Sequence, residues 1–484
     1  MKKNTLFRLQ TVVAFCLFLV ISTNAQPTFI KSIGGMFDEY GFRVLQKENG
    51  DFIISGFTTT NSEGQEDFYL IKTDVNGNPA WEKSYGEPLT DISYSVIETF
   101  DGGYLMCGDS QTYGTGIFSA SLIKTDGDGN FQWQKKYYGD YSAMGRDVVQ
   151  ADENSYVFCA STRNETDAPS NTLLVKINLE GDTIWTKKFG GPDDDWPRTL
   201  VKSNDGGFVI CGGSRNTGNG IEDVYIIKTD EDGNLIWEGT YGSHTYDSGN
   251  TIIETNDGGY VVCGQSTNSS AGYLDFILLR IDAYGNEIWQ KYFGNDDAAW
   301  GMSITASTDG GFVACGGLRK GLNETIFAWL VKVDQNGDEV WTQQFNFEEN
   351  KTTYAASIIT AQNGGYAVCG YTKADGNLEW MDLLLIKTDD MGIVTLIETI
   401  ETQPPQLLKI SPNPSNGKFC VEIPKGATDI KIFDSNGALL VEETLMENPE
   451  KSIRNFDLSN FGKGMYFVNA YTEGKTFNGK VVVE

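Results

Sequence analysis

Four aromatic side chains stand outside the regular spacing of this sequence and are its first candidates for chemistry. They are Trp196, Tyr246, Trp300 and Trp380. An exposed aromatic ring offers a flat apolar face that can stack on a sugar ring or pack against a peptide. The alternative is that each ring packs against a neighbouring loop of its own chain. We therefore treat these four residues as candidate ligand-binding residues, and we expect them in long loops of the fold.

Charged side chains also recur at fixed positions of the sequence. One set is basic and consists of Arg163, Arg215, Arg319 and Lys373. A second set is acidic and consists of Glu39, Asp91, Asp195 and Asp247. We expect both sets at the same end of the fold, with the acids in loops between repeats. There they form either salt bridges between neighbouring repeats or a charged rim around a binding site.

The composition excludes several other kinds of chemistry. The chain has 484 residues, 37 Lys+Arg against 66 Asp+Glu, a formal net charge of −29 and one histidine, His244. Nucleic acid and anionic membranes are disfavoured as partners, because neutralising phosphates requires clustered Lys and Arg. A single imidazole also excludes multi-histidine zinc sites and most histidine proton relays. We expect no metal site and no cofactor.

Two acidic turns look like calcium-binding loops but match only in part. They cover residues 126–130 and 230–234, which are rich in Asp, Gly and Asn. An EF-hand loop also needs a bidentate glutamate at its twelfth position. That position holds Tyr137 in the first loop and Tyr241 in the second. We interpret both segments as hairpin turns.

A repeat of 52 residues organises the middle of the chain. It is marked by six tryptophans, namely Trp81, Trp133, Trp185, Trp237, Trp289 and Trp341. Each unit reads as four short strands, and Asp-Gly-Gly turns supply the positive φ that a tight hairpin needs. Seven such units predict an all-β fold, a seven-bladed β-propeller over residues 26–399. A linear solenoid is the alternative architecture.

The two ends of the repeat array favour a closed ring over a solenoid. Residues 29–34 copy the fourth strand of a unit, with Phe29 in place of the tryptophan, yet they precede the first complete unit. The last unit has a candidate fourth strand at residues 393–400 that lacks the tryptophan. We therefore predict that the N-terminal strand completes the last blade.

A cysteine also recurs in the second strand of the repeats. The six residues are Cys107, Cys159, Cys211, Cys263, Cys315 and Cys369. Equivalent positions of adjacent blades are separated by one sheet-packing distance, roughly 10 Å. A disulfide needs Cα atoms within about 7 Å. We predict buried free thiols and no disulfides between blades.

The first 25 residues predict a cleaved signal peptide. Basic residues precede an apolar run at residues 11–22, and small residues end the segment at Ala25. A membrane-spanning helix is the alternative, but it needs about twenty apolar residues, more than this run contains. We expect no transmembrane helix in the mature chain.

The spacing Asp-x-x-Gly-x-x-x-Trp recurs in the units, as in Asp74, Gly77 and Trp81. Over residues 28–400 it resembles the tryptophan-docking motif of quinoprotein-type propellers. The gap between Asp and Gly is one residue shorter here, the blade number is seven and not eight, and no cofactor-site signature is evident. The resemblance therefore implies tryptophans packed between blades, and it does not imply a quinone cofactor.

The repeat ends before residues 400–406, a short linker with Thr, Gln and Pro, and residues 407–484 read as the strands of a small β-sandwich. This segment closely resembles the type A C-terminal sorting domain of the type IX secretion system. The residues that we assign to the sorting signal are Pro412, Asn413, Pro414, Gly417, Gly437, Gly464, Tyr466 and Lys480. An ordinary appended sandwich is the alternative.

The resemblance to a sorting domain implies an export route of Gram-negative bacteria. Such a domain is recognised by the translocon and is usually removed by a sorting peptidase, after which the cargo is released or attached to the cell surface. We therefore expect export across the outer membrane to an extracellular or cell-surface location.

The expected function is that of a secreted or surface-displayed propeller that binds a glycan or a protein without catalysis. In four-stranded blades the interblade loops and the loops between the second and third strands lie at one end of the ring, which we call the long-loop end, and sequence variation belongs there. An extracellular polysaccharide-degrading enzyme, a glycosidase or lyase with its site at that end, is the alternative. A structural or adhesive surface protein is a third possibility.

Overall fold

The computed structural model describes residues 28–35, 37–60, 62, 65–111, 117–139, 141–166, 168–216, 218, 220–267, 274–294, 297–320, 325–347, 351–373, 380–394, 406–434, 439–445, 452–472 and 475–483. The predicted signal peptide at residues 1–25, nearly all of the predicted linker and Gly437 lie outside these ranges and stay predictions. The regular secondary structure within the described ranges is entirely β. None of it is a helix long and apolar enough to cross a membrane.

Short alternating apolar runs form 28 strands between residues 29 and 387. In chain order they are β1 (Phe29–Ile33), β2 (Glu39–Gln46), β3 (Phe52–Thr58), β4 (Asp67–Thr73), β5 (Pro79–Tyr85), β6 (Asp91–Glu98), β7 (Tyr104–Gln111), β8 (Phe118–Thr125), β9 (Phe131–Tyr137), β10 (Ser142–Asp152), β11 (Ser155–Arg163), β12 (Asn171–Asn178), β13 (Thr183–Phe189), β14 (Asp195–Lys202), β15 (Phe208–Ser214), β16 (Asp223–Thr229), β17 (Leu235–Tyr241), β18 (Asp247–Glu254), β19 (Tyr260–Ser266), β20 (Asp275–Ile281), β21 (Glu287–Phe293), β22 (Ala298–Ala306), β23 (Phe312–Arg319), β24 (Ile326–Val333), β25 (Glu339–Phe345), β26 (Thr353–Thr360), β27 (Tyr366–Lys373) and β28 (Met381–Lys387).

These strands form seven antiparallel four-stranded sheets, which are the blades of the propeller. Blades 1 to 6 contain β2–β5, β6–β9, β10–β13, β14–β17, β18–β21 and β22–β25, and blade 7 contains β26–β28 with β1. The first strands of neighbouring blades contact one another all the way round, including β26 with β2. They are therefore the innermost strands, and the predicted ring of seven four-stranded blades is confirmed.

The ring is closed by the strand that the sequence analysis predicted. β1 pairs antiparallel with β28, in a register that runs from Phe29 opposite Lys387 to Ile33 opposite Leu383. The Phe29 side chain is 2% exposed. A single ring of seven blades thus has its two ends joined by backbone hydrogen bonds, which removes the edges that a solenoid would leave open.

Neighbouring blades dock through an aromatic residue of the outermost strand and a glycine of the next blade. The glycine has a positive φ in the turn that follows the third strand, as at Gly233 (φ 74), where a Cβ would lie 2.7 Å from the ring of Trp185. The docked pairs are Phe29 on Gly77, Trp81 on Gly129, Trp133 on Gly181, Trp185 on Gly233, Trp237 on Gly285, Trp289 on Gly337 and Trp341 on Gly392. The spacing of Asp, Gly and Trp in the repeat thus encodes both the turn and the surface that receives the preceding blade.

In blades 1 to 6 an acid in or beside the first hairpin turn pairs with a basic residue near the end of the third strand. In blade 4 the Nζ of Lys228, a residue 3% exposed, lies 2.6 Å from Oδ1 of Asp205. The pairs are Lys72 with Asp51, Lys124 with Asp101, Lys176 with Asp152, Lys228 with Asp205, Arg280 with Asp257 and Lys332 with Asp309. These pairs tie the first hairpin of a blade to its third strand.

The recurrent cysteines are buried free thiols, as the interblade spacing predicted. They lie in the second strands and belong to the apolar layers between blades. Burial raises the pKa of the Cys107 thiol well above its ordinary value, so that it is inert at neutral pH.

Residues 406–483 form two further sheets with a shared apolar core. The strands are β29 (Gln406–Leu407), β30 (Ile410–Ser411), β31 (Lys418–Ile423), β32 (Ala427–Phe433), β33 (Leu439–Thr444), β34 (Ser452–Asp457), β35 (Gly464–Thr472) and β36 (Lys475–Val483). The larger sheet has the order β29-β36-β35-β32-β33 and the smaller has the order β30-β31-β34. The predicted small β-sandwich is confirmed.

Candidate binding site at the channel mouth

Every innermost strand carries a β-bulge at the same repeat position. In β2, for example, Gly41 pairs with Gly56 and Arg43 with Ser55, so that Phe42 is left over between them. A bulge re-aims the side chain of the extra residue. The seven extra residues, which we call the bulge ring, are Phe42, Tyr94, Arg146, Arg198, Asn250, Met302 and Ala356.

Members of the bulge ring contact one another from blade to blade. The rings of Phe42 and Tyr94 have centroids 5.6 Å apart. The guanidinium carbon of Arg146 lies 4.6 Å from the centroid of Tyr94. On the other side, Nδ2 of Asn250 lies 3.9 Å from the sulfur of Met302. Because these contacts join the innermost strands, the bulge ring lines the central channel.

A second layer of side chains lies two residues earlier in each innermost strand, towards the long-loop end. Its members are Tyr40, Ile92, Met144, Trp196, Ser248, Trp300 and Tyr354. Opposite them in the second strands are Phe57, Asp109, Ser161, Gly213, Gln265, Gly317 and Tyr371. We call these two sets, together with the bulge ring, the channel mouth.

One side of the channel mouth is an arc of aromatic rings that spans blades 6, 7, 1 and 2. Its consecutive centroid distances run from 4.2 to 6.0 Å, starting at Trp300 and ending at Tyr94. We call this set the aromatic arc, and in order it contains Trp300, Tyr354, Tyr371, Tyr40, Phe57, Phe42 and Tyr94. Burial raises the pKa of Tyr40 to about 12, so its hydroxyl is neutral and able to donate a hydrogen bond.

The other side of the channel mouth begins with two arginines in blades 3 and 4. Nη1 of Arg146 lies 3.3 Å from Oδ2 of Asp109. Burial raises the pKa of Asp109 to about 6, against the attraction of Arg146. Arg198 is exposed to the channel, and within the described part of the chain it has neither a hydrogen bond nor an ion pair. Its pKa is lowered because the channel walls reduce its hydration and because Arg146 is the next cation of the ring.

A buried glutamate lies beside these arginines, between blades 4 and 5. Oε2 of Glu222 is 3.6 Å from Nη2 of Arg215, whose guanidinium carbon lies 5.4 Å from the centroid of the Trp196 ring. Burial raises the pKa of Glu222, while Tyr246 and Ser248 lie close enough to lower it. Neither oxygen of Glu222 has a hydrogen bond of ordinary geometry among the described residues. Three of the predicted ligand-binding residues, Trp196, Arg215 and Tyr246, therefore lie around Glu222.

The structure changes the placement of two predicted aromatic residues. Trp196 and Trp300 lie on the innermost strands β14 and β22 and not on loops. Each ring lies over a glycine of the paired strand, because a Cβ on Gly213 would lie 2.7 Å from Trp196 and one on Gly317 would lie 2.4 Å from Trp300. Their faces are half-buried in the channel mouth, where the two glycines make room for them.

The remaining predicted ligand-binding residues lie around the mouth at the long-loop end. Asp194 is 4.0 Å from Arg163 of blade 3 and 3.6 Å from Arg215 of its own blade. Trp380 precedes β28 and meets Phe37 edge to face at a centroid distance of 5.1 Å. Arg319 and Lys373 are the last residues of β23 and β27. Whether any of them binds a ligand stays a prediction.

The four recurrent acids have a structural role that the sequence analysis did not anticipate. Each is the buried first residue of an innermost strand, not a loop residue, and its carboxylate accepts a backbone N–H of the preceding interblade loop. The bonds are Gly35 to Glu39, Glu87 to Asp91, Gly191 to Asp195 and Ser243 to Asp247. The acids therefore hold the interblade loops in place, and among the described residues they form no salt bridges and are not exposed.

One of these acids makes the stability of the ring depend on pH. Burial raises the pKa of Glu39 from 4.5 to about 7. The folded protein therefore binds this proton more tightly than the unfolded chain does, and stability falls as pH rises from about 4.5 to about 7. A shift of this size corresponds to about 3 kcal/mol. We expect Glu39→Gln to flatten the decline in melting temperature between pH 5 and pH 8.

The matched control for this measurement is Glu231→Gln, because Glu231 is exposed on a turn of blade 4. Melting of the wild type and both variants by calorimetry at pH 5 and pH 8 gives the comparison. This role of Glu39 would be contradicted if the melting temperature of the wild type rose by several degrees between these pH values, in parallel with that of Glu39→Gln.

The acidic turns that resemble calcium loops use their oxygens internally. Both carboxylate oxygens of Asp126 accept hydrogen bonds from Asn130, and one also accepts from the backbone of Asp128. Asp230 makes the same bonds in blade 4. The hairpin interpretation thus describes these turns. Over the described ranges no group of three potential His, Cys, Asp or Glu ligands lies together.

A second concave surface lies at the opposite end of the ring, between blades 2 and 3. This groove of about 570 Å³ is lined by Phe100, Trp133, Tyr156 and Leu179 together with the Lys124–Asp101 pair. Phe100 is 71% exposed on the first hairpin turn of blade 2. The groove belongs to a single interblade junction, whereas the channel mouth is built from all seven blades.

The predicted sorting residues divide into buried and exposed groups. Tyr466 is 4% exposed, and its hydroxyl donates to the carbonyl oxygens of residues 461 and 462. Gly417 is also buried, with a φ of 96 and Ser459 against it. Asn413 donates to the carbonyl of Lys480 at 2.6 Å and accepts from the N–H of Val482 at 2.9 Å. The exposed members are Pro412, Asn413, Pro414, Gly464 and Lys480.

Two family models match separate parts of the chain. Residues 409–484 match the secretion system C-terminal sorting domain. Residues 275–396, in blades 5 to 7, match the model of the outer membrane protein assembly factor BamB. No curated protein sequence matches the chain.

Several solved structures match the chain at low sequence identity. The β-propeller domain of the Trilobed protease from Pyrococcus furiosus is 9% identical, with 75% of this chain and 100% of that chain covered and a TM-score of 0.42. Sqt1 from Chaetomium thermophilum is 8% identical, with 95% and 98% covered and a TM-score of 0.41. A mutant puromycin hydrolase is 12% identical, with 81% of this chain and only 61% of that chain covered and a TM-score of 0.46.

The sorting-domain match covers the sandwich that follows the ring, and its type IX assignment agrees with the motifs of the sequence. A tail of this kind serves export across the outer membrane. The chain therefore carries a secretion-system C-terminal sorting domain after a seven-bladed β-propeller, which agrees with the predicted resemblance to type IX secretion cargo.

Proposed function

We propose that this exported propeller is a non-catalytic glycan-binding protein whose site is the channel mouth. The observation that carries the proposal is the aromatic arc. Seven rings in mutual contact line one side of an opening at the long-loop end, and Trp300, Tyr354 and Tyr40 are half-buried there. A contiguous aromatic surface of this kind is typical of a ligand-binding groove.

The chemistry of the arc suits sugars. A pyranose ring has apolar C–H faces that stack on aromatic rings and a rim of hydroxyls that seek hydrogen bonds. The arc supplies both, because four of its members are tyrosines with neutral hydroxyls and the others are Phe42, Phe57 and Trp300. Its side chains stand on paired β-strands rather than on loops, so little conformational entropy is lost when a ligand binds.

The proposal is tested by removing the ring at the end of the arc. We expect Trp300→Ala to weaken binding of the responding glycan at least about tenfold, since aromatic anchors dominate such interfaces. The matched control is Tyr284→Ala, which removes an aromatic side chain 83% exposed on the turn between the third and fourth strands of blade 5. A polysaccharide array followed by calorimetry on the mature protein gives the affinities.

Two outcomes would contradict the proposal. Equal losses in Trp300→Ala and Tyr284→Ala would place binding outside the channel mouth. Release of reducing ends from the bound polysaccharide would show an enzyme instead, for which Asp109 is the residue to examine first, because it is the mouth carboxyl whose pKa is raised to about 6.

A further inference from the structure

The channel mouth has a basic sector between the aromatic arc and the cluster around Glu222. Arg146 and Arg198 are consecutive members of the bulge ring, so their side chains project from neighbouring innermost strands towards the same channel. The chain as a whole has a formal net charge of −29. Two adjacent cations at the axis of a ring this acidic need a structural or functional reason.

Local ion pairing accounts for only part of this charge. Arg146 lies 3.3 Å from Oδ2 of Asp109 and stacks on Tyr94. Oδ1 of Asp109 has no hydrogen-bond partner among the described residues. Arg198 makes no ion pair within that part of the chain, and its pKa is lowered first by desolvation and then by repulsion from Arg146. An anion between the two guanidinium groups would relieve the repulsion, since each group can donate two parallel hydrogen bonds to a carboxylate or sulfate.

The position of the pair next to the aromatic arc defines the rest of the ligand. Tyr94 belongs to the arc and also lies under Arg146, so the aromatic and basic surfaces are continuous. A ligand that fills both must combine a stacking face with an anionic group. Free inorganic anions would use only the arginines, and neutral sugars would use only the arc.

We propose that Arg146 and Arg198 bind the acidic groups of an anionic polysaccharide whose sugar rings stack on the aromatic arc. This inference rests on the proposed glycan-binding function and specifies the class of glycan. The acidic group is a uronate carboxylate or a sulfate ester, and the shared requirement is a planar or tetrahedral oxyanion that accepts hydrogen bonds from both guanidinium groups.

The test compares acidic ligands with a neutral one. Calorimetry of the mature protein uses a galacturonate hexasaccharide, its fully methyl-esterified form, a sulfated galactan oligosaccharide and an acidic peptide. We expect Arg198→Ala to weaken binding of whichever acidic oligosaccharide the wild type binds more tightly, by at least about tenfold. Arg198→Lys should weaken this binding less, because lysine keeps the charge but not the paired donors. Asp109→Asn should strengthen it several-fold, because it releases Arg146.

The control for a general charge effect is Lys291→Ala. Lys291 is on β21, the outermost strand of blade 5, and pairs with Asp338 at 2.9 Å, so its loss changes the net charge equally without touching the mouth. Unchanged melting temperatures of the Arg198 variants exclude misfolding as the cause of a loss.

The outcomes separate this inference from the function on which it rests. Equal affinity for the acidic hexasaccharide and its methyl ester, with Arg198→Ala unchanged and Trp300→Ala weakened, would overturn the anionic ligand class and keep glycan binding. Binding of an acidic peptide but of no oligosaccharide would overturn both. The uronate and sulfate arms show which oxyanion the arginines accept.

Discussion

Replacing Phe29 by aspartate is expected to open the ring and to lower its melting temperature by about 5 °C or more. Phe29 is 2% exposed and packs on Gly77 of blade 1, while its strand forms the fourth strand of blade 7. Losing a buried phenylalanine costs about 3 to 5 kcal/mol, and placing a carboxylate in the same space adds a desolvation penalty. Calorimetry of the mature protein measures the change.

Two further variants sharpen this test. Phe100→Asp makes the same chemical change at a side chain that is 71% exposed, so its melting temperature should stay within a degree or two of the wild type. Phe29→Trp installs the residue that the six other blades use at this position and should be tolerated. If Phe29→Asp melts like Phe100→Asp, closure by the N-terminal strand does not stabilise the ring.

Deleting residues 406–484 is expected to abolish release from the cell and to trap the propeller in the periplasm. The deleted segment contains the residues that match the sorting domain, 409–484, and the two sheets with their own core. Immunoblotting of periplasmic, surface and medium fractions measures the distribution. Normal secretion of the truncated protein would refute the assignment of an essential sorting tail.

A point substitution separates a lost signal from a lost fold. Lys480 is exposed on the last strand, where we expect its side chain to meet the secretion machinery, whereas Tyr466 is buried in the sandwich. We expect Lys480→Ala to change secretion without changing the melting temperature of the sandwich. Tyr466→Ala should lower both the amount secreted and that melting temperature. The trapped propeller should retain its own melting transition, because no strand of the seven blades is removed.

Most of the fold could be predicted from the sequence because its information is periodic. The same spacing recurs in three features, namely the tryptophan, the turn glycine that it covers and the Asp-Gly-Gly hairpin. The three features therefore indicate the same repeat length and the same order of strands. The place of Phe29 followed from the same arithmetic. The free cysteines followed from one distance argument, since equivalent positions of packed sheets are too far apart to bridge.

The candidate site was predicted less well, for a physical reason. Trp196 and Trp300 break the tryptophan spacing, which marked them as special, but a loop was the wrong setting. The signal that could have located them is the glycine that each one covers, Gly213 or Gly317, which stands where other blades carry larger side chains such as Phe57. The acids were assigned to loops because their backbone acceptor role depends on the exact start of a strand.

The blade number, the docking of blades, the export tail and the closing strand could all be predicted from the sequence, because each depends on local spacing and on contacts between neighbouring repeats. The set of side chains that faces the axis depends on ring closure and could be identified only from the fold. Bulge residues such as Phe42, Arg146 and Arg198 look unremarkable in their own units, and no local pattern reveals that one residue of each innermost strand is left unpaired. Ring closure brings seven residues from seven repeats together around one channel, and their combination of aromatic and basic chemistry exists only there.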